Sequence, residues 1–205
     1  MNKIITLCFI WLSTIGWAQG ADELSAKVQQ LDKSYTVGAL KPLVPEFERL
    51  WNHTPNNWLL PYYAAYVNVR IADLLEGSAI DTYCDQAEKY LKATEKLQDA
   101  DKSEIYALYA YLYSAKVKVS PMFRGSKYGK IGREYIEKAI GANPSNPRAY
   151  VIRAIGTYFK PKMFGGGKDK AQPIIDKALE KFEQFVPKSA NHPHWGKGML
   201  SSINH

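Results

Sequence analysis

The sequence is poor in cysteine. Its 205 residues include only Cys8 and Cys84, and Cys8 lies in an N-terminal apolar run that we expect to be removed. One remaining thiol cannot form an internal disulfide, so packing alone must hold the fold together. Cys84 shares a helical apolar stripe with Ala87 and Leu91, which favours a buried packing residue over a nucleophile.

Clusters of a single charge are also missing. The chain has 27 Lys and Arg against 20 Asp and Glu, but lysines alternate with acidic residues along the predicted helices. This pattern indicates solvated helix faces rather than a nucleic-acid-binding surface. Paired carboxylates and a Ser/His/Asp arrangement are missing as well. We therefore predict a protein that is not an enzyme, with no catalytic residues and no cofactor.

The N-terminus has the three parts of a secretory signal. A short basic start, "MNK", precedes an apolar run over Ile4–Trp17, and Ala18 and Gly20 provide small residues for cleavage before Ala21. The run is shorter than the roughly 20 residues that a membrane span needs. We predict a signal peptide over 1–20, a domain over 21–205, and a location in the periplasm or outside the cell. A retained anchor remains the alternative.

Strand-like alternation is missing from the rest of the chain, where helical spacing dominates. The stretch "AQPIIDKALEKF", for example, places its apolar residues three and four apart. Further helices are predicted in "CDQAEKYLKATEKL" (84–97), "DKSEIYALYAYLYSAKVKV" (101–119) and "PRAYVIRAIGTYF" (147–159). Proline fits only the first turn of a helix. We therefore expect the helix in "AQPIIDKALEKF" to begin near Pro173, and a helix near the start of the domain to begin at Pro45.

Two stretches repeat. "SPMFRGSKYGK" and "KPKMFGGGKDK" share Pro, Met-Phe, Gly and Lys, and Pro121 precedes Pro161 by 40 residues. We interpret both as loops between paired helices. A two-helix repeat of this length predicts a solenoid, in which stacking covers the apolar face of each unit.

These units resemble tetratricopeptide repeats (TPRs). Ala110, Gly132, Ile136, Ala139 and Pro144 occupy places in one unit where the repeat has small, large and proline residues. Small residues at Ala139 and Ala178 should lie in the helix-packing core. The resemblance implies an all-α, right-handed solenoid of about four antiparallel helix pairs, with insertions between paired helices. The signal peptide, "ANPSNPRA" and "HWGK" further resemble exported TPR-like proteins of Gram-negative envelopes.

Two stretches contain residues that are typical of phosphate-binding or metal sites, but neither has the full pattern of such a site. Gly165–Gly167 lacks the hydroxyl residue of a phosphate-binding loop, since Asp169 stands in its place. We expect a structural turn whose Phe164 fills the core. His192 and His194 are separated by proline and have no acidic or cysteine neighbour in sequence, so we predict no metal site.

A binding surface remains. The resemblance implies that the first helices line a concave face, and the predicted groove comprises Trp58, Asn68, Tyr111, Arg148, Ile155 and Tyr158. We predict a non-catalytic envelope scaffold that binds a protein or peptide of unknown identity, with no nucleic-acid partner. The alternative is a carrier of a small apolar ligand, held in an enclosed cavity formed by the insertions. Packing of the tyrosines between repeats is a further alternative to the groove.

Overall fold

The structure is a computed structural model that describes residues 22–203, so the predicted signal peptide lies outside it. Within this range every regular element is helical. In chain order these are α1 (22–32), α2 (Val37–Leu40), α3 (Leu43–His53), α4 (Leu59–Leu74), α5 (Ala79–Thr94), α6 (Lys102–Lys118), α7 (Pro121–Ala142), α8 (Pro147–Phe159), a 3-10 turn (Lys162–Phe164), α9 (Lys168–Gln184) and α10 (Lys197–Ser201). The all-α prediction is confirmed for the described residues.

The longer helices pack in consecutive pairs: α4 with α5, α6 with α7, and α8 with α9. Short connections make the partners of each pair antiparallel. The first helices also contact one another in succession, α4 with α6 and α6 with α8. The fold is therefore a row of stacked helix pairs.

Helix α4 forms the centre of the core. Almost every side chain from Leu60 to Ala72 is buried, because the helix is apolar on nearly all sides. Cys84 on α5 is fully buried against α6, where its Sγ lies 3.7 Å from the carbonyl oxygen of Leu112. Ala139 and Ala178 are also fully buried, as predicted.

The first helices of the three pairs run parallel. Near their N-terminal ends, Glu104 of α6 and Arg148 of α8 form an ion pair. Near their C-terminal ends, Lys118 Nζ of α6 lies 3.0 Å from Asp73 Oδ1 of α4. The C-terminal ends of α4, α6 and α8 therefore lie at one edge of the stack, and the segments that follow α6 and α8 project from that edge.

Two helix starts follow from the sequence. Asp101 caps α6 by accepting hydrogen bonds from the backbone N–H groups of Ser103 and Glu104. Pro147 is the first residue of α8, as predicted. The side chain of Glu104 does not complete a capping box, however, since it pairs with Arg148 in the interior.

The interpretation of "SPMFRGSKYGK" as a loop is wrong, because this stretch forms the first half of α7. Proline at Pro121 is compatible with a helix start, and tertiary contacts offset the low helix propensity of Gly125 and Gly129. Arg124 forms a bidentate ion pair with Asp81, at 2.7 and 3.0 Å. Tyr128 stacks on Tyr113 with ring centroids 6.0 Å apart.

Other boundaries shift by a few residues. Helix α9 begins at Lys168 rather than near Pro173, which therefore lies inside it. Helix α3 begins at Leu43 rather than Pro45. The helix predicted over 84–97 is α5, which starts five residues earlier, at Ala79. Over residues 22–203, no helix is both long and apolar enough to cross a membrane.

Candidate functional site

The C-terminal segment, residues 185–203, lies against the first helices. Its Trp195 ring sits between the rings of Tyr66 on α4 and Tyr111 on α6, with centroids 5.3 and 5.6 Å away and interplanar angles of 20° and 29°. Offset stacking of this kind stabilises beyond the area that it buries. The indole N–H also donates to the Tyr62 hydroxyl at 2.8 Å. We call this arrangement the aromatic clamp.

Polar contacts tie the same segment to α1, α4 and α6. The Tyr63 hydroxyl donates to the Asn191 carbonyl at 2.9 Å. Asp101 accepts a hydrogen bond from Lys188 Nζ at 2.6 Å, and its carboxylate lies 3.5 Å from Nε2 of the His192 ring. His194 contacts Asp32 at 2.9 Å. The protein thus covers part of its own predicted concave face.

Asp101 is charged throughout the physiological range. Burial by itself would raise the pKa of its carboxyl group, but His192, Lys188 and the backbone N–H of Glu104 together hold that pKa well below its usual value. Asp101 therefore serves both as the cap of α6 and as an anionic anchor for the C-terminal segment.

Arg148 and Glu104 form a bidentate ion pair with essentially no solvent exposure. The Arg148 guanidinium also lies 4.4 Å from the centroid of the Phe185 ring. Its Nη1 has no hydrogen-bond partner in the structure. Such a pair is costly to desolvate and stable only when both members are present.

The structure brings three of the six predicted groove residues against the C-terminal segment. Trp58 meets the His192 ring edge-to-face, with centroids 6.1 Å apart. Tyr111 and Arg148 are buried beneath Trp195 and Phe185. Tyr111 also donates to Asp73 at 2.8 Å. Tyr111 therefore packs, and Arg148 pairs, within the chain.

The other three predicted groove residues are separate. Asn68 is buried and donates to the carbonyl of Ala64 in its own helix at 2.8 Å. Ile155 and Tyr158 are half-buried in the second half of α8, beyond Arg148 and Val151. The Tyr158 ring meets Phe159 edge-to-face at 5.1 Å. A binding role for Ile155 and Tyr158 stays a prediction.

Large apolar side chains are exposed at the edge where α4, α6 and α8 end. Their exposed fractions run from 48% to 87%, and they are Leu74, Met122, Phe123, Phe159, Met163 and Phe164. We call this set the Met–Phe edge. Exposed apolar side chains that gather on one part of a well-packed protein indicate a binding surface.

The glycine-rich turn presents part of this edge. The Gly167 N–H donates to the Thr157 carbonyl at 2.9 Å and fastens the turn to α8. At Gly166 a Cβ atom would lie 2.1 Å from the Lys160 carbonyl oxygen, so only glycine fits. The prediction that Phe164 fills the core is wrong, since its ring is 62% exposed. The tight turn directs Met163 and Phe164 outwards.

Cationic side chains flank the edge. Lys160 and Lys162 are exposed beside Met163, and Lys162 Nζ lies 3.7 Å from Asp169. Lys118 and Arg124 are paired with Asp73 and Asp81. Among residues 22–203, no group of three His, Cys, Asp or Glu side chains is placed to hold a metal ion.

Sequence reasoning noticed the repeated Pro–Met–Phe but missed the exposure of its side chains. It assigned the first copy to a loop and the second to a turn with a buried ring. The signal available in the sequence was a pair of large apolar residues, Met and Phe, beside lysines and glycines. A simple turn does not need large apolar residues at such a place.

The fold and the edge define a class: an all-helical protein with a self-covered inner face and exposed apolar side chains where its first helices end. Comparison of structures finds a similar protein, the HusA haemophore from Porphyromonas gingivalis. It is 32% identical in sequence, with a TM-score of 0.80, and the match covers 89% of this chain and 90% of that one. The chain belongs to the same family as that haemophore.

No protein-family model and no curated protein matches the chain. A tetratricopeptide assignment therefore stays a prediction. The matched protein comes from a Gram-negative bacterium, and its name describes a carrier rather than an enzyme.

This match overturns the main functional prediction, a scaffold that binds a protein or peptide. A haemophore carries a small ligand, which agrees with the alternative of a small-ligand carrier. The physical reason lies in the concave face, where a partner peptide was expected. Trp195 and its neighbours already fill that face from Trp58 to Arg148.

Proposed function

We propose that the protein is a non-catalytic carrier of haem and that the Met–Phe edge holds the cargo. The observation that carries the proposal is the exposure of Met122, Phe123, Met163 and Phe164 at one edge of the stack. It is supported by the similarity to a haemophore over most of both chains.

The chemistry of the edge suits a porphyrin. Haem is a flat apolar ring with two carboxylates on one side. Phe123 and Phe164 offer aromatic faces for stacking, and methionine adapts its shape to an irregular contact. Lys160 and Lys162 are exposed beside the second Met–Phe pair and are positioned to meet the carboxylates.

The methionine sulfurs are the candidate iron ligands on this edge. Thioether ligation of haem iron is established chemistry. Of the histidines within 22–203, His192 is buried 3.5 Å from Asp101 and His194 lies 2.9 Å from Asp32, both on the C-terminal segment rather than at the Met–Phe edge. His53 lies at the end of α3, away from the C-terminal ends of α4, α6 and α8.

The test is an absorbance titration of the mature protein with haem. Burying a phenylalanine or methionine side chain against the ring is worth about 1.5–3 kcal/mol, which corresponds to about 10- to 100-fold in Kd. Phe123→Ala and Phe164→Ala should each weaken binding by at least about tenfold. Their melting temperatures should stay unchanged, because both rings are exposed.

Val186→Ala is the matched control, since Val186 is 82% exposed but lies on the C-terminal segment. It should bind haem as the wild type does. If both phenylalanine variants bind haem with wild-type affinity, the haem site does not lie at the Met–Phe edge. A wild-type protein that leaves the haem spectrum unchanged would refute the carrier function.

Met122→Leu and Met163→Leu address the iron separately. Leucine keeps the apolar volume but removes the sulfur. If either sulfur binds iron, its variant should lose affinity for haem while keeping its affinity for metal-free protoporphyrin. Equal affinity of both variants and the wild type for haem would remove methionine as a ligand.

We further propose that residues 1–20 are a cleaved signal peptide and that the carrier acts in the periplasm or outside the cell. The "MNK" start, the apolar run and Ala18 support this. We also propose that the stacked pairs are a right-handed TPR-like solenoid. The contacts between successive first helices and the buried Ala139 and Ala178 support that assignment.

A further inference from the structure

The C-terminal segment carries two histidines, and each lies beside a carboxylate from another part of the fold. His192 lies 3.5 Å from Asp101 at the start of α6. His194 lies 2.9 Å from Asp32 at the end of α1. Between these contacts and α10 lies Trp195, whose ring fills the aromatic clamp.

The two groups beside the imidazole ring of His194 favour its protonated, charged form. Its Nδ1 lies 3.1 Å from the His192 carbonyl oxygen, and its Nε2 lies 2.9 Å from a carboxylate oxygen of Asp32. Both neighbours are acceptors, and a neutral imidazole has only one N–H to donate. Both hydrogen bonds therefore form only when both ring nitrogens carry protons.

We propose that the C-terminal segment is a pH-dependent latch, which the imidazolium of His194 holds shut over the aromatic clamp. At low pH the ring donates to Asp32 and to the backbone of the segment itself. Loss of the proton breaks one of the two hydrogen bonds and removes the charge pair. Trp195 then leaves the clamp more often.

The charged groups around the two histidines give the direction of the effect. The hydrogen bond to Asp32 raises the pKa of His194, burial lowers it, and the charge of Arg148 lowers it further, with a net increase. The added stability is complete below the unfolded pKa of about 6.5 and is lost as pH rises through the folded value. Glu104 and Lys188 are further charges near His192, and Asp101 stays ionised over this range. Arg70 of α4 lies at the same end of α1 as Asp32, where it donates to the carbonyls of Leu31 and Ser34.

Opening would enlarge the apolar surface next to the Met–Phe edge. Trp195 covers Tyr66 and Tyr111, which lie on the same inner face as Ile155 and Tyr158 further along the stack. The functional consequence of opening the latch depends on the proposed carrier function. The latch itself can be measured on the protein without haem.

The experiment is hydrogen–deuterium exchange of peptides within 185–203, from pH 5.5 to 8.5, with each rate corrected for its intrinsic pH dependence. Protection then reports the opening equilibrium of this segment. In the wild type we expect protection to fall several-fold across this range. The fall should be moderate because the His194 side chain is 39% exposed, which weakens its charge pair with Asp32.

His194→Gln and Asp32→Asn should each give protection that is low at pH 5.5 and changes little with pH. Both positions are partly exposed, so folding should be retained. His53→Gln is the control, since His53 is also exposed and lies on α3; it should match the wild type.

Two results would overturn the latch. One is wild-type protection that does not change with pH. The other is a fall in protection that persists in His194→Gln. Neither outcome depends on haem, so a failed latch and a failed carrier function remain distinguishable.

Discussion

Replacing Arg148 should destabilise the protein strongly, because the change leaves a charge in the core. Arg148→Met keeps most of the side-chain volume but removes the cation that pairs with Glu104. Glu104 is 1% exposed and so has no access to water. The same substitution removes the guanidinium that lies 4.4 Å from the Phe185 ring.

The expected cost follows from that burial. Removing one partner of a buried ion pair costs about 3–5 kcal/mol, mostly because the remaining charge is uncompensated. For a domain of this size, each kcal/mol lowers Tm by about 2–4 °C, so the shift should be about 6–20 °C. Adding Glu104→Leu removes the stranded carboxylate, and the double variant should recover at least half of the loss.

The assay is urea unfolding followed by circular dichroism, for the wild type, both single variants and the double variant. The coupling free energy from this cycle isolates the pair. An Arg148→Met variant that loses less than about 1 kcal/mol would show that Glu104 is hydrated or protonated in that variant rather than left as a buried charge. A double variant less stable than Arg148→Met would refute the argument that the stranded charge causes the loss.

Two further predictions concern glycine and alanine positions. Gly166→Ala should lower Tm and weaken haem binding together, because its Cβ would clash with the Lys160 carbonyl and displace the turn that carries Met163. Thermal melting and the haem titration measure the two effects, and an unchanged Gly166→Ala variant would show that the turn tolerates the shift. Ala178→Leu should cost about 1–3 kcal/mol in urea unfolding, since Ala178 is a fully buried residue of α9, the helix that packs on α8. An Ala178→Leu variant as stable as the wild type would place unfilled space at that interface.

The helices could be predicted from sequence because their signals are local. Asp101 and Pro147 begin α6 and α8 through the chemistry of their own first turns. The first half of α7 could not be predicted in this way. Its Gly125 and Gly129 favour a loop locally, and the contacts that keep it helical come from Asp81 and Tyr113 in other elements.

The candidate site was less accessible to sequence reasoning for a related reason. Tyr111 and Arg148 were expected on the inner face of the stack, and both are buried beneath the C-terminal segment. Nothing in their neighbourhood indicates that Trp195, 84 residues beyond Tyr111, and Phe185, 37 residues beyond Arg148, would cover them. Met122 and Met163 look like core residues by composition, and only the assembled stack shows that no element within residues 22–203 packs over them.

The burial of Cys84 gives the protein a built-in report of its own opening. Desolvation raises the pKa of the thiol to about 12, so at neutral pH only about one molecule in 10⁵ carries the reactive thiolate. Cys84 is therefore almost inert toward oxidants and thiol reagents while α5 stays packed on α6. Once those helices separate, the thiol returns to ordinary reactivity. The rate at which a thiol reagent modifies Cys84 therefore measures how often the core opens, and no added label is needed.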